Sequence, residues 1–87
     1  MANIKSAMKR AKVSEARTKR NAAYKSRMRT AIRRYERALH TGDLVEAKDL
    51  LLQASRIIDK TQSKGVIHKN MADRKKSRLA KALNRAS

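Results

Sequence analysis

No proline occurs anywhere in the 87 residues, and glycine occurs only twice, at Gly42 and Gly65. Proline is the residue that most effectively stops a helix, because its ring removes an amide donor and clashes with the preceding turn. Its absence, together with abundant Ala, Lys, Arg and Leu, favours helix almost everywhere along the chain. The two glycines are then the only strong breaks, and they divide the chain into three helical segments. Gly42 follows Leu39-His40-Thr41 and can take the left-handed conformation that closes a helix. Directly after it, Asp43 with Glu46 three positions on has the spacing of an N-terminal capping pair. Gly65 repeats the closing role after Ser63-Lys64. The start of the third helix is open, since either His68 or Asn70 could cap it.

Apolar spacing supports the same division. Tyr24, Met28, Ala31, Ile32, Tyr35 and Leu39 step by three and four along one face. Leu44, Ala47, Leu51, Ala54, Ile58 and Thr61 do the same in the second segment, with Leu50 and Ile57 widening the stripe. The third stripe is weaker: Ala72, Leu79, Ala82, Leu83 and Ala86. Helices over Tyr24–His40, Leu44–Gln62 and His68–Arg85 would each be about 26–29 Å long. Matched lengths and short connections predict an all-α fold, an antiparallel three-helix bundle.

The segment before Tyr24 does not continue the first stripe. At 100° per residue the stripe from Tyr24 to Leu39 centres near 270°, whereas Ile4, Ala7, Met8 and Ala11 centre near 30°. Stripes about a third of a turn out of phase cannot line one straight groove. Residues 1–22 also have no counterpart to pack against. The chain is therefore expected to form one domain over residues 1–87. Residues 23–87 would make the bundle, and residues 1–22 a basic arm that extends the first helix beyond it. The arm's charges (Lys5, Lys9, Arg10, Lys12, Arg17, Lys19 and Arg20) are expected to cover most of its circumference. Such a segment repels itself when isolated and would order as phosphates neutralise it.

Charge then restricts function. The chain carries 24 Lys plus Arg against 7 Asp plus Glu, a formal net charge of +17. Residues 1–40 hold 13 basic and 2 acidic side chains, residues 41–64 hold 4 of each, and residues 65–87 hold 7 and 1. A neutral middle helix between two basic ones points to a polyanionic partner met by the outer two, with the middle helix facing solvent. The absence of cysteine removes disulfides, thiolate metal sites and Cys nucleophiles, and two histidines do not make a zinc site. Neither His40 nor His68 has a carboxylate or nucleophile at a catalytic spacing, so no enzyme, metal, cofactor or small-molecule substrate is expected. The N-terminal stretch has no apolar run of a secretory signal, and no stretch approaches the ~20 apolar residues that span a bilayer. Residues 1–22 lack the aromatic anchors of a stable membrane-surface helix.

The nature of the polyanion is less constrained. Single-strand binders commonly stack bases on aromatic side chains, and this chain has only Tyr24 and Tyr35, which fall in the core stripe. Structured RNA or duplex DNA, held by phosphate and shape contacts, fits better than a single strand. Ser26, Thr30 and Ser77 lie among basic residues and could donate to phosphates.

Specific runs narrow the choice. The opening Met1-Ala2-Asn3-Ile4-Lys5-Ser6-Ala7 followed by Lys9-Arg10 resembles the bacterial small-subunit ribosomal protein family numbered twenty. So do Arg20-Asn21, Lys25-Ser26, Arg29-Thr30, Gly42-Asp43 and the run Lys64-Gly65-Val66-Ile67-His68-Lys69-Asn70 with Ala72, Arg74 and Lys76-Ser77-Arg78-Leu79. The resemblance spans essentially the whole chain in order. It implies a cytoplasmic protein on the ribosome, monomeric within the small subunit alongside its other components. Such a protein binds small-subunit (16S) ribosomal RNA directly and stabilises its folding and assembly. It would bridge the 5′ domain and the long helix of the 3′ minor domain. The RNA-binding set that follows is Lys5, Lys9, Arg10, Lys12, Arg17, Arg20, Asn21, Lys25, Ser26, Arg29, Thr30, His68, Lys69, Asn70, Arg74, Lys76, Ser77 and Arg78. Met8 and Met71 depart from the family pattern, where a basic or polar residue is expected, and receive no RNA-binding role. The alternative from charge alone is a nucleoid-type architectural DNA-binding protein.

Overall fold

A computed structural model describes residues 2–87, with side-chain environments from Ile4 onward; Met1, the first residue of the expected arm, lies outside it. Three helices follow in order: α1 over Ala2–Thr41, α2 over Leu44–Ser63 and α3 over Lys69–Ala86. Helix α1 has 40 residues and runs without a break from arm to bundle. At 1.5 Å per residue it is about 60 Å long, which accounts for the 65 Å long axis of a molecule only 21 and 14 Å across.

The glycine breaks work as their positions predicted. Gly42 and Gly65 have φ of +82° and +75°, the left-handed region open to glycine at little cost. At the first break the Gly42 amide donates to the Leu39 carbonyl and the Asp43 amide to the Ala38 carbonyl, at 3.2 and 3.1 Å. At the second, the Gly65 amide donates to Gln62 and the Val66 amide to Thr61, at 2.9 and 3.1 Å. Both are Schellman closures, which satisfy the last carbonyls of a helix. Asp43 then caps α2, its Oδ1 accepting from the Glu46 amide at 3.1 Å. Only that half of the expected capping pair forms, because the Asp43 amide is already committed to Ala38. His68 settles the open start of α3: its Nδ1 accepts from the Asn70 amide at 3.1 Å, so His68 and not Asn70 is the cap.

Much of the core is alanine. Ala31 and Ala38 of α1, Ala47 and Ala54 of α2 and Ala72 of α3 are buried, and small side chains let helix backbones approach closely. Ala47, Ala54 and Thr61 recur every seven residues, so a single face of α2 is shared along its length. Thr61 is fully buried, and its hydroxyl donates to the Ile57 carbonyl at 2.7 Å, which removes the cost of an unpaired polar group. Helix α2 packs closely against both other helices. Tyr35 fills the space between α1 and α3. It is fully buried, and its hydroxyl donates to the Leu79 carbonyl of α3. Burial raises its pKa above the ordinary tyrosine range, opposed in part by a hydrogen bond from the Leu83 backbone.

The thin stripe of α3 has a physical explanation. Between Ala72 and Leu79 the inward-leaning positions are Lys75 and Lys76, both half-buried. Lys76 lays its aliphatic stem along the helix interface and places its ammonium 2.6 Å from Asp59 of α2 and 3.9 Å from Asp73. The hydrogen bond to Asp59 raises its pKa, against some desolvation and with the charges of Asp59 and Asp73 adding.

Candidate nucleic-acid interface

Every described side chain from Ile4 to Arg20 is exposed, and Asn21 is the first that is partly covered. The arm therefore carries its charge entirely outside the core. Near its root the Arg20 guanidinium donates to the Lys64 carbonyl at 3.5 Å, beside the turn that closes α2. Because α1 is one unbroken helix, its phase can be followed along the whole arm. The seven basic residues from Lys5 to Arg20 fall within about half of the circumference at 100° per residue. This corrects the expectation that they cover most of it. Ile4, Ala7, Met8, Ala11, Thr18 and Ala22 occupy the other half, where Glu15 is the one charge and pairs with Lys19 at 3.8 Å.

Basic side chains are gathered into shallow grooves. Lys9, Arg10 and Arg17 converge around Val13, with Ser6 and Ser14 beside them. One groove further along α1 brings Asn21, Lys25 and Arg29 together with Thr18 and Ala22. Asn21 Oδ1 is buried there with no hydrogen-bond donor. On α3, Asn70, Arg74 and Arg78 line a third groove with Met71 and Lys75. Among the described residues only Lys19 and Lys76 are in ion pairs. The remaining basic side chains are thus free to meet phosphates, Arg through a planar fork and Lys as a point charge.

Individual residues divide by what already holds them. Lys5 and Lys12 are exposed on the arm, and Lys69 and Ser77 are exposed on α3. Ser26 and Thr30 line the crevice between α1 and α2. His68 accepts at Nδ1 from the Asn70 amide, which leaves Nε2 on the exposed ring free of a partner among the described residues and open to a phosphate. Lys76 is tied to Asp59 and offers less charge outward than its neighbours Arg74 and Arg78. Tyr35 is core, as its place in the stripe predicts. Tyr24 is partly buried and carries the Arg27 guanidinium 5.7 Å from its ring centroid.

Several basic residues stand in the same surfaces without having been singled out by sequence. Lys75 sits in the α3 groove, and Arg27, Arg33, Arg34 and Arg37 are exposed on the bundle part of α1. The signal was present in the helical wheel: Ser26, Thr30, Arg33 and Arg37 step along the face opposite the core stripe. A basic face of that kind also reads as ordinary solvated surface, so position alone did not mark it.

An exposed, largely unpaired cationic arm joined to a bundle with a basic third helix has no catalytic constellation to explain. No group of three or more His, Cys, Asp or Glu is placed to hold a metal among the described residues. No helix of these residues is long and apolar enough to cross a membrane. The family profile described as ribosomal protein S20 matches residues 2–84, nearly the whole of this architecture. The chain belongs to the ribosomal protein S20 family. A relative from Geobacillus kaustophilus, the small ribosomal subunit protein bS20, is 56% identical over 84 residues, covering 97% of this chain and 94% of its own length. The protein of the same name from Clostridium perfringens is 55% identical, with 97% of both chains covered. That from Mycobacterium avium is 53% identical over 85 residues, covering 98% of this chain and 99% of its own. The S20 similarity thus takes in all three helices and both glycine turns.

Proposed function

We propose that this protein is a structural constituent of the small ribosomal subunit that binds the subunit's ribosomal RNA and stabilises its fold. The observation that carries the reading is the arm: residues 4–20 are exposed throughout, and their basic side chains, Lys19 apart, have no acidic partner. Such a helix has no core to serve, and a polyanion relieves its self-repulsion. Membership of the S20 family, whose relatives bear small-subunit names, makes that polyanion ribosomal RNA. The protein then acts on the ribosome in the cytoplasm, as one copy among the other subunit components, without cofactor or catalysis.

The mechanism is electrostatic stapling. The arm, with Lys5, Lys9, Arg10, Lys12, Arg17 and Arg20, enters between RNA segments whose phosphates repel one another. Asn21, Lys25, Ser26, Arg29 and Thr30 extend the contact onto the bundle. His68, Lys69, Asn70, Arg74, Ser77 and Arg78 form the second surface, on α3, with Lys76 a weaker member. Residues 1–22 act as the arm of a single domain whose bundle is residues 23–87, and RNA phosphates stabilise the arm's helix. Two basic surfaces on different helices, the arm of α1 and the face of α3, suit the bridging of the 5′ domain and the long helix of the 3′ minor domain. Phosphate and shape contacts should outnumber base-edge contacts.

The test is binding at matched salt to a small-subunit RNA fragment and to duplex DNA of equal length, together with sedimentation of the protein in cell extract. Tighter binding to the RNA and sedimentation with the small subunit are expected. Equal or tighter binding to the DNA, with recovery on chromosomal DNA, would favour a nucleoid protein instead.

A further inference from the structure

One concavity differs in kind from the grooves along the arm and α3. It lies between two helices, has a volume of about 310 Å³, and combines an apolar floor with a cationic rim. Ala31 of α1 and Leu50 and Ile57 of α2 make the floor. Arg27 and Arg34 stand on the rim, and no acidic residue lines it. That volume is at the lower end of the ~300–1,000 Å³ range of small-ligand sites. Leu50 and Ile57 are only half-buried, so the floor is open to an occupant.

We propose that this α1–α2 crevice receives one unstacked nucleotide of the bound RNA. The proposal rests on the RNA-binding reading above and adds a site to it. The flat base lies on Ala31, Leu50 and Ile57, and its flanking phosphate meets Arg27 and Arg34. The chain has no spare aromatic platform, and an aliphatic floor with guanidinium planes beside it serves the same purpose. Arg27 is already oriented by the Tyr24 ring, 5.7 Å from its centroid.

The polar rim offers both acceptors and donors. Gln53 donates through Nε2 to Asp49 at 3.1 Å, which leaves its Oε1 as an acceptor. Thr30 donates its hydroxyl to the Ser26 carbonyl at 3.0 Å, so its oxygen also accepts. Beside these acceptors stand the guanidinium donors of Arg27 and Arg34 and the second Nε2 hydrogen of Gln53, so the rim can pair with both the donors and the acceptors of a base edge.

The experiment titrates the full chain with adenosine 5′-monophosphate, uridine 5′-monophosphate and inorganic phosphate at fixed ionic strength, following methyl resonances by NMR. The adenosine nucleotide should shift the methyls of Ala31, Leu50 and Ile57. The uridine nucleotide should shift the same methyls, since the floor and the guanidinium rim take either base. Phosphate should leave these methyls in place. Equal shifts with all three probes, or none with any, would overturn the proposal. In the RNA complex, Gln53→Trp should plug the crevice from α2, with helix content checked by circular dichroism. One or two unpaired nucleotides protected from base modification by the wild type should become reactive, while the rest of the footprint stays. Identical footprints would overturn the site. A wild-type chain with no footprint at all would instead sink the RNA reading, and the mononucleotide titration would then decide the crevice alone.

Discussion

Exchanging Lys9, Arg10 and Arg17 together for glutamine separates what the arm does for RNA from what it does for the fold. All three are exposed, none is in an ion pair, and they converge on one groove. Glutamine has nearly the helix propensity of Lys and Arg, so the exchange removes charge without altering the backbone preference. Each phosphate neutralised on a duplex contributes about 0.9 to the slope of log affinity against log salt, and about 0.7 on a single strand. Three lost contacts should make that slope shallower by about 2–3. Over a fourfold rise in salt, the variant should therefore lose roughly 20–40-fold less affinity than the wild type. Stability should barely change, because exposed substitutions away from caps and core each move it by about 0.5 kcal/mol or less. Anisotropy titrations with a labelled small-subunit RNA fragment at several salt concentrations give the slope, and a circular dichroism melt gives the stability. An unchanged slope would show that this groove does not meet phosphate. A melting midpoint lowered by more than about 10 °C would show that the arm belongs to the folded core, against the exposure of residues 4–20.

Other perturbations test the bundle itself. Ile58 is fully buried, so Ile58→Ala should cost about 2–4 kcal/mol in chemical denaturation, whereas half-buried Leu51→Ala should cost clearly less. Tyr35→Phe should cost about 0.5–1.5 kcal/mol at neutral pH, through loss of the hydrogen bond to Leu79. The same variant tests the raised phenol. Stability that Tyr35 contributes below the unfolded tyrosine pKa of about 10 is lost as pH rises through its higher folded value. Tyr35→Phe should therefore show the shallower fall in melting temperature above pH 10, and a parallel fall would refute the shift. Gly42→Ala meets no neighbouring atom but must hold a φ of +82°, so it should destabilise by about 1–2 kcal/mol from backbone strain alone, with Gly42→Asn costing less.

Fold and arm were legible in the sequence because the signals were local. Gly42 and Gly65 were the only breaks in a proline-free chain, and each needed only its own left-handed turn to end a helix. The phase change between Met8 and Tyr24 exposed the arm, since two stripes out of register cannot share one groove. The start of α3 was not legible, because His68 and Asn70 are both good acceptors and only the geometry of the Asn70 amide chooses between them. The ion pair of Lys76 was hidden for a related reason. The residue's place among basic neighbours suggested phosphate, while the partner that holds it, Asp59, is supplied by another helix. Arg27 and Arg34 went unassigned because two of the three floor residues beneath them, Leu50 and Ile57, belong to α2, and no property of α1 alone reveals them.

Joining of separate RNA segments through two surfaces, the arm and α3, is the core of the proposed function. Directed hydroxyl-radical cleavage tests it most directly, with a probe attached through a single cysteine at Ser6 on the arm or Ser77 on α3 of the protein bound to small-subunit ribosomal RNA. The account predicts strong cleavage from both positions, with the cut sites lying in the 5′ domain and in the long helix of the 3′ minor domain. Absence of cleavage from Ser6 would contradict it, as would cuts confined to one RNA segment from both positions.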